Sequence, residues 1–301
     1  MKVDYEQVGI EKLCRLFGKT RHAYYDHEWR KQDDFLKDEL ILQLIAEIRK
    51  SLPRLGTRKL QYLVNQKLAE HGLRAGRDYL FDLMTEHKLT IRSRRRKINT
   101  TNSRHWMRKY DNLIKDLVVN EPELLWVSDI TYIRTGNGFV YLSLITDAYS
   151  RKIVGYNVSR DLAAEGCLDA LEKALLNRNY PHKVLIHHSD RGSQYCCKQY
   201  VDLLSVNNIA ISMTQNGDPY ENAIAERLNG IIKSEFNLYS NASGFEETYT
   251  LVDKSIAAYN AIRPHSSCDY LTPFEAHQKS GPLKKRWKKY QKPKFEKNAP
   301  V

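Results

Sequence analysis

Between Leu125 and Met213 the side-chain pattern changes period several times, and the order of those changes leaves few folds open. Leu125 to Arg134, rich in Val, Ile, Thr and Tyr, reads as a strand. Gly136-Asn137-Gly138 is a hairpin turn signal. Phe139 to Ala148 reads as a second strand and Lys152 to Ser159 as a third. Residues 162–179 place Ala163, Cys167, Ala170, Leu171, Ala174 and Leu175 at helical spacing. Val184 to His188 is a fourth strand, Lys198 to Asn207 a helix and Ile209 to Met213 a fifth strand. A further helix carries Glu226. Three strands in succession, then strands alternating with helices, predict an antiparallel meander joined to a parallel pair by helical crossovers. The expected fold is α/β, with a mixed five-stranded sheet, flanking helices and the order of a ribonuclease-H-like core.

On this topology three carboxylates converge. Asp129 lies inside the first strand, Asp190 closes the fourth, and these strands are expected to be neighbours. Glu226 follows after 35 intervening residues. Its helix places Asn222, Glu226, Asn229 and Lys233 at i, i+4, i+7 and i+11, on one face, with Leu228, Ile231 and Ile232 largely on the other. Hard divalent cations such as Mg²⁺ take oxygen ligands. Two such ions about 4 Å apart clamp the attacking and leaving oxygens of a phosphodiester exchange. The set Asp129, Asp190 and Glu226 is therefore the candidate catalytic and metal-binding site. Lys233 is placed to contact the phosphate beside the cleaved bond. Asp147 is the main decoy, because it also ends a strand. His187 and His188 read as structural neighbours, since Mg²⁺ rarely uses imidazole.

The rest of the chain is organised by charge and breakers. Residues 1–110 carry 25 Lys+Arg against 14 Asp+Glu, residues 111–278 carry 14 against 21, and residues 279–301 carry 9 against 1. An acidic centre between basic ends suits a metal-using core carried to a polyanion by its flanks. Residues 1–50 read as a helix-turn-helix-like region, with Gly18-Lys19-Thr20 as the break and Arg21 and Tyr24 on a short second helix that would enter a major groove. A separate amphipathic helix is expected over 33–50. Residues 51–98 form a second such unit, with Leu60, Val64, Leu68, Leu80, Leu83 and Met84 inward. Lys88 to Lys109 holds nine basic residues and no acids, with Arg94, Arg95, Arg96 and Lys97 as its densest part. It reads as a phosphate-contacting linker, its domain-level span 99–120. The core is expected over 121–240, a helical extension over 241–278 and a basic tail over 279–301. Five cysteines without a CxxC pair suggest reduced thiols in a cytosolic protein. No run approaches the ~18 apolar residues of a membrane span.

Taken together, the motifs resemble those of the DDE transposases of the bacterial insertion-sequence-three family, relatives of retroviral integrases. Carrying the resemblance are Trp126 with Asp129-Ile130-Thr131-Tyr132, the run His188-Ser189-Asp190-Arg191-Gly192-Ser193-Gln194-Tyr195, Asn222-Ala223 leading to Glu226, and Lys233 seven residues on. Tyr259-Asn260, Arg263-Pro264-His265 and Thr272-Pro273 match the region after the core. The resemblance implies a recombinase that binds double-stranded DNA at the ends of its own element and at a target. It implies cutting that depends on two Mg²⁺ ions, for which Mn²⁺ can substitute, then attack of the 3′ hydroxyl on another phosphodiester. It also implies a homo-oligomer, at least a dimer on DNA, and a second-frame product with an upstream-frame fusion or partner. Asn222, Asn229 and Lys233 are the expected DNA contacts beside the carboxylates. A cytoplasmic, nucleoid-associated location follows. Two other readings stand at this point: a non-enzymatic DNA-binding regulator of the element, and a nuclease of the same fold that does not join.

Overall fold

The structure is a computed structural model that describes residues 7–91, 106–215, 222–238 and 243–287, apart from the side chains of Arg30, Lys31 and Asp33. Four helices come first: α1 (Ile10–Leu16), α2 (Arg21–Ser51), α3 (Thr57–Ala69) and α4 (Arg77–Glu86). The sheet follows as β1 (Leu125–Thr135), β2 (Gly138–Asp147) and β3 (Ile153–Ser159), then α5 (Glu165–Leu176), β4 (Leu185–Ser189), α6 (Ser193–Cys196), α7 (Lys198–Val206) and β5 (Ile209–Met213). Helices α8 (Ala223–Glu235), α9 (Phe245–Ala261) and α10 (Pro273–Ala276) complete the order.

The strand order is β3-β2-β1-β4-β5, antiparallel through β1–β3 and parallel through β1–β4–β5. This is the expected meander and parallel pair. Trp126 on β1 is fully buried in a cluster with Val154, Ala170, Leu171, Tyr200 and Leu204, which seats α5 and α7 on one face. Gly155 on β3 lets α5 approach closely. A Cβ there would stand 2.1 Å from the Ala170 carbonyl oxygen and 2.7 Å from Ala174 Cβ.

The opposite face shares a core with the N-terminal helices. Ile133, Val140, Leu142, Leu228, Ile231 and Ile232 belong to one cluster with Ile41, Ile45, Leu60, Val64 and Leu80. A buried ion pair reinforces the junction. Arg263, 1 % exposed, grips Glu235 of α8 with both Nε and Nη2 at 2.7 Å, and Lys59 of α3 lies 3.6 Å from the same carboxylate. Tyr62 of α3 stacks on Tyr270 with centroids 5.0 Å apart.

The first region departs from expectation. The short second helix and the separate helix over 33–50 are one continuous helix of 31 residues, α2. Thr20 caps its start, accepting from the Ala23 N–H at 3.1 Å. No Gly or Pro lies between Arg21 and Ser51 to stop propagation, so the polar stretch in the middle stays helical. Arg21 is exposed and lies over the Tyr25 ring at 5.6 Å, and Tyr24 meets Tyr25 edge-on at 5.5 Å. In the second region, Leu60, Val64, Leu68, Leu80, Leu83 and Met84 are buried as their spacing predicts. Arg94, Arg95, Arg96 and Lys97, the turn-rich loop that Asn216-Gly217 and Asp218-Pro219 signal in the sequence, and most of the basic tail lie outside the described residues. No helix among the described residues is long and apolar enough to cross a membrane.

Candidate active site

Side chains on a strand alternate between faces, so Val127, Asp129 and Thr131 of β1 share one face while Trp126, Ser128 and Ile130 share the other. Helix α8 lies along the first face. Four helical residues advance about 6 Å and two strand residues about 6.8 Å, so the two elements stay nearly in step. The contacts follow that match. Ala225 shares a small apolar cluster with Val127. Asn229 Nδ2 donates to Asp129 Oδ2 at 2.8 Å. The Lys233 ammonium donates to Thr131 Oγ1 and sits 5.1 Å from the centre of the Tyr132 ring. At the head of the helix, Asn222 Nδ2 donates to the Ser128 carbonyl at 3.0 Å.

The second aspartate is set by register. Val127 pairs with His188 across the parallel β1–β4 ladder, so two residues further on Asp129 and Asp190 come level where the strands part. Adjacent strands lie about 4.8 Å apart. Asp190 Oδ1 accepts from the Gly192 N–H at 2.9 Å, and a Cβ on Gly192 would stand 3.0 Å from that oxygen. Beneath the pair, His187 Nε2 lies 2.7 Å from Ser128 Oγ and 2.9 Å from Tyr200 Oη. Burial, with the neighbouring His188, holds the His187 imidazole down to about 3, so it is neutral and faces away from the carboxylates. His188 Nδ1 meets Ser212 Oγ at 2.8 Å, which ties β4 to β5. Both histidines therefore serve the sheet.

The carboxylates feel one another. Burial pushes Asp129 up to about 7, the charge of Asp190 adds to this, the Asn229 hydrogen bond opposes it, and the charge of Glu226 adds again. Glu226 is exposed at the rim of the same helix face. Among the described residues, no three His, Cys, Asp or Glu side chains are close enough as they stand to hold one ion. Three carboxylates near each other repel until a cation or proton offsets their charge. The donor set nonetheless fits a hard divalent ion: Asp129 and Asp190 are level oxygen donors, His187 faces the other side of the sheet, and Asn229 Oδ1 is a buried acceptor without a hydrogen-bond partner beside Asp129.

The decoy is resolved by its partners. Asp147 is fully buried and accepts from Glu123 N–H at 2.7 Å, Ser150 N–H at 2.8 Å and Ser150 Oγ at 2.6 Å. His277 lies between Asp147 and Glu123, at 3.6 and 3.4 Å. Glu123 also accepts from the N–H groups of Asn179 and Tyr180. Asp147 thus fastens the segment after α10 to the core. Asn222 and Asn229, expected as DNA contacts, are 6 % and 4 % exposed and give their amides to β1. Both amides thus hold β1, an arrangement that the i+4 spacing of Ala225, Asn229 and Lys233 against Val127, Asp129 and Thr131 foreshadows.

An α/β core of this strand order, with its carboxylates on β1, after β4 and on α8, belongs to the integrase-type polynucleotidyl transferases. Models of the integrase core domain match residues 119–219 and 207–273. The chain is 34% identical over 275 residues to the uncharacterized 31 kDa protein of insertion element IS600 of Shigella sonnei, covering 89% of this chain and 98% of that protein. It is 34% identical over 241 residues to the transposase for insertion sequence element IS629 of the same organism, covering 76% and 78%. Among solved structures it is similar to the HTLV-2 integrase catalytic core domain in complex with magnesium, at 18% identity and a TM-score of 0.43, over 52% of this chain and 97% of that one. The chain belongs to the insertion-sequence-three family of transposases, enzymes with an integrase-like core.

Proposed function

We propose that this transposase binds the ends of its element, cuts a strand to expose a 3′ hydroxyl, and transfers that hydroxyl to a phosphodiester of target DNA. Asp129, Asp190 and Glu226 are the proposed ligands of two Mg²⁺ ions. When bound, such ions stabilise the charge on the attacking and leaving oxygens of an in-line exchange. The observation that carries the reading is the convergence of two level aspartates on adjoining parallel strands with a helix clamped along one of them.

The chain's own residues supply the rest. Asn229 holds Asp129 in one rotamer, and the Gly192 N–H does the same for Asp190. Burial and the charges of Asp190 and Glu226 raise Asp129 to about 7, and its carboxylate would be the ionised form when it holds such an ion. Burial lowers the Lys233 ammonium, with Asp129 pulling the other way, and its place beside Thr131 suits a phosphate next to the scissile bond. Arg94, Arg95, Arg96 and Lys97 contact phosphates without reading sequence, and Arg21 and Tyr24 reach the duplex from the start of α2. Coordinated cutting of two ends calls for at least a dimer. A cytoplasmic location follows from the DNA substrate.

Asp190→Asn tests the reading. The variant should bind end DNA within about threefold of wild type, yet give no Mg²⁺-dependent nicks and no joined products longer than the substrate. Retained joining would remove Asp190 from the site.

A further inference from the structure

The segment entering the core, Trp106 to Leu113, carries side chains that neither the sheet nor the carboxylate site uses. Its path is held at several points. Met107 and Tyr110 pack against the cluster containing Tyr195, Cys196 and Met213. The Met213 N–H donates to the Asp111 carbonyl at 3.2 Å. The Leu113 N–H donates to Ser212 Oγ at 2.9 Å, the hydroxyl that also meets His188. The segment therefore runs beside β5. Met213 of β5 pairs with Ser189, the residue before Asp190. Two strand spacings put Asp111 about 10 Å from the end of β4. Trp106 is five residues upstream, a reach of at most about 17 Å.

Trp106 itself is 92 % exposed, the highest value of any large apolar residue among the described ones. Tryptophan is buried on average, and its rigid ring makes it a strong contact when covered. Its neighbour Met107 packs against the core while the indole stands in solvent. Its surroundings are cationic. Arg108 and Lys109 are exposed, with Arg108 over the Tyr110 ring at 5.0 Å. An exposed aromatic face among cations has the chemistry of a base-stacking platform. The ring takes a base of any identity and the cations take the flanking phosphates. Together the two spans put Trp106 within about 27 Å of the end of β4, about eight nucleotides at about 3.4 Å per step.

We propose that Trp106 stacks on an unpaired base of the bound DNA strand within about eight nucleotides of the cleaved position, with Arg108 and Lys109 on the adjoining phosphates. The proposal rests on the strand-cutting role above, which brings DNA to Asp190.

The test uses the full chain and an oligothymidylate of about 15 nucleotides carrying one 2-aminopurine. Wild type should quench the 2-aminopurine on binding. Trp106→Ala should lose the quenching and bind at least about fivefold more weakly, Trp106→Phe should keep most of both, and affinity for a blunt duplex should change less than about twofold. Equal affinity of Trp106→Ala and wild type for the oligothymidylate overturns the proposal, as does an equal loss on duplex. If Trp106→Ala instead alters the sedimentation of the DNA-free chain, the ring docks on protein and the proposal also falls. Mg²⁺-dependent joining by the wild type, measured in parallel, keeps the strand-transfer reading separate: its loss sinks that reading, while its persistence with an unaffected Trp106→Ala sinks only this one.

Discussion

Replacing Asp129 by Asn should make the metal-free protein more stable while abolishing its chemistry. In the native structure Asp129 is raised from 3.8 to about 7 by burial and by the charges of Asp190 and Glu226. A group whose folded pKa is raised costs stability once the unfolded chain ionises it. The cost is absent below about pH 4, grows as pH rises, and is complete above about pH 7. Three pH units at about 1.4 kcal/mol each set a ceiling of about 4 kcal/mol. Coupling to the other carboxylates and partial solvation reduce that, so about 2 kcal/mol is the working figure. Asn is nearly isosteric, carries no charge, and can still accept from Asn229. At this chain length 1 kcal/mol moves the melting point by about 2–4 °C. Thermal melts in EDTA at about pH 8 should therefore place Asp129→Asn about 4–8 °C above wild type, and the gap should close at about pH 4. Millimolar Mg²⁺ should raise the wild type and leave the variant unmoved. A variant that melts at or below wild type at pH 8 without metal would refute the argument that burial and the neighbouring carboxylates raise Asp129.

Four further outcomes are expected. Glu235→Gln leaves Arg263 and Lys59 without their buried anion and should cost about 3–5 kcal/mol in denaturant unfolding, with an unchanged m-value. Gly155→Ala forces β3 and α5 apart and should cost about 1–3 kcal/mol, read from the same curves. Burial opposes protonation of His277, but Asp147 and Glu123 raise its pKa above the ordinary value. Its contribution is therefore present below about pH 6.5 and lost as pH climbs through the raised value, and His277→Gln should flatten the stability profile over that rise. Finally, Mg²⁺ addition at about pH 6 should release protons from wild type, and Asp129→Asn should show less release in an unbuffered indicator assay.

Much of the core is readable because its elements are short and their periods contrast. The runs around Trp126, Leu142 and Leu185 alternate or stay apolar, and the helix between them does not, so strand order and the meander follow from local pattern alone. Asp129 and Asp190 are legible for the same reason: each interrupts or ends an apolar run where solvation alone does not call for a carboxylate. The break at Gly18 is legible too, but the long α2 is not. Its polar middle carries no apolar period, and helical continuity there comes from the absence of a breaker and from anchoring of its second half at Ile41 and Ile45. In sequence Asp129 and Asp147 differ only in place, one inside its strand and the other at a strand end. What separates them is Glu123, Ser150 and His277, which arrive from distant parts of the chain.

Residue order alone determined the succession of strands and helices, the candidate carboxylates and the charge contrast between core and flanks, because each depends on neighbours within a turn or two. Tertiary structure decided that Asp147 is locked in a hydrogen-bonded knot while Asp129 comes level with Asp190. It also decided that Asn222 and Asn229 give their amide donors to β1. Those choices depend on the near match between a helix advancing four residues and a strand advancing two, a coincidence of distances that exists only once α8 lies on the sheet.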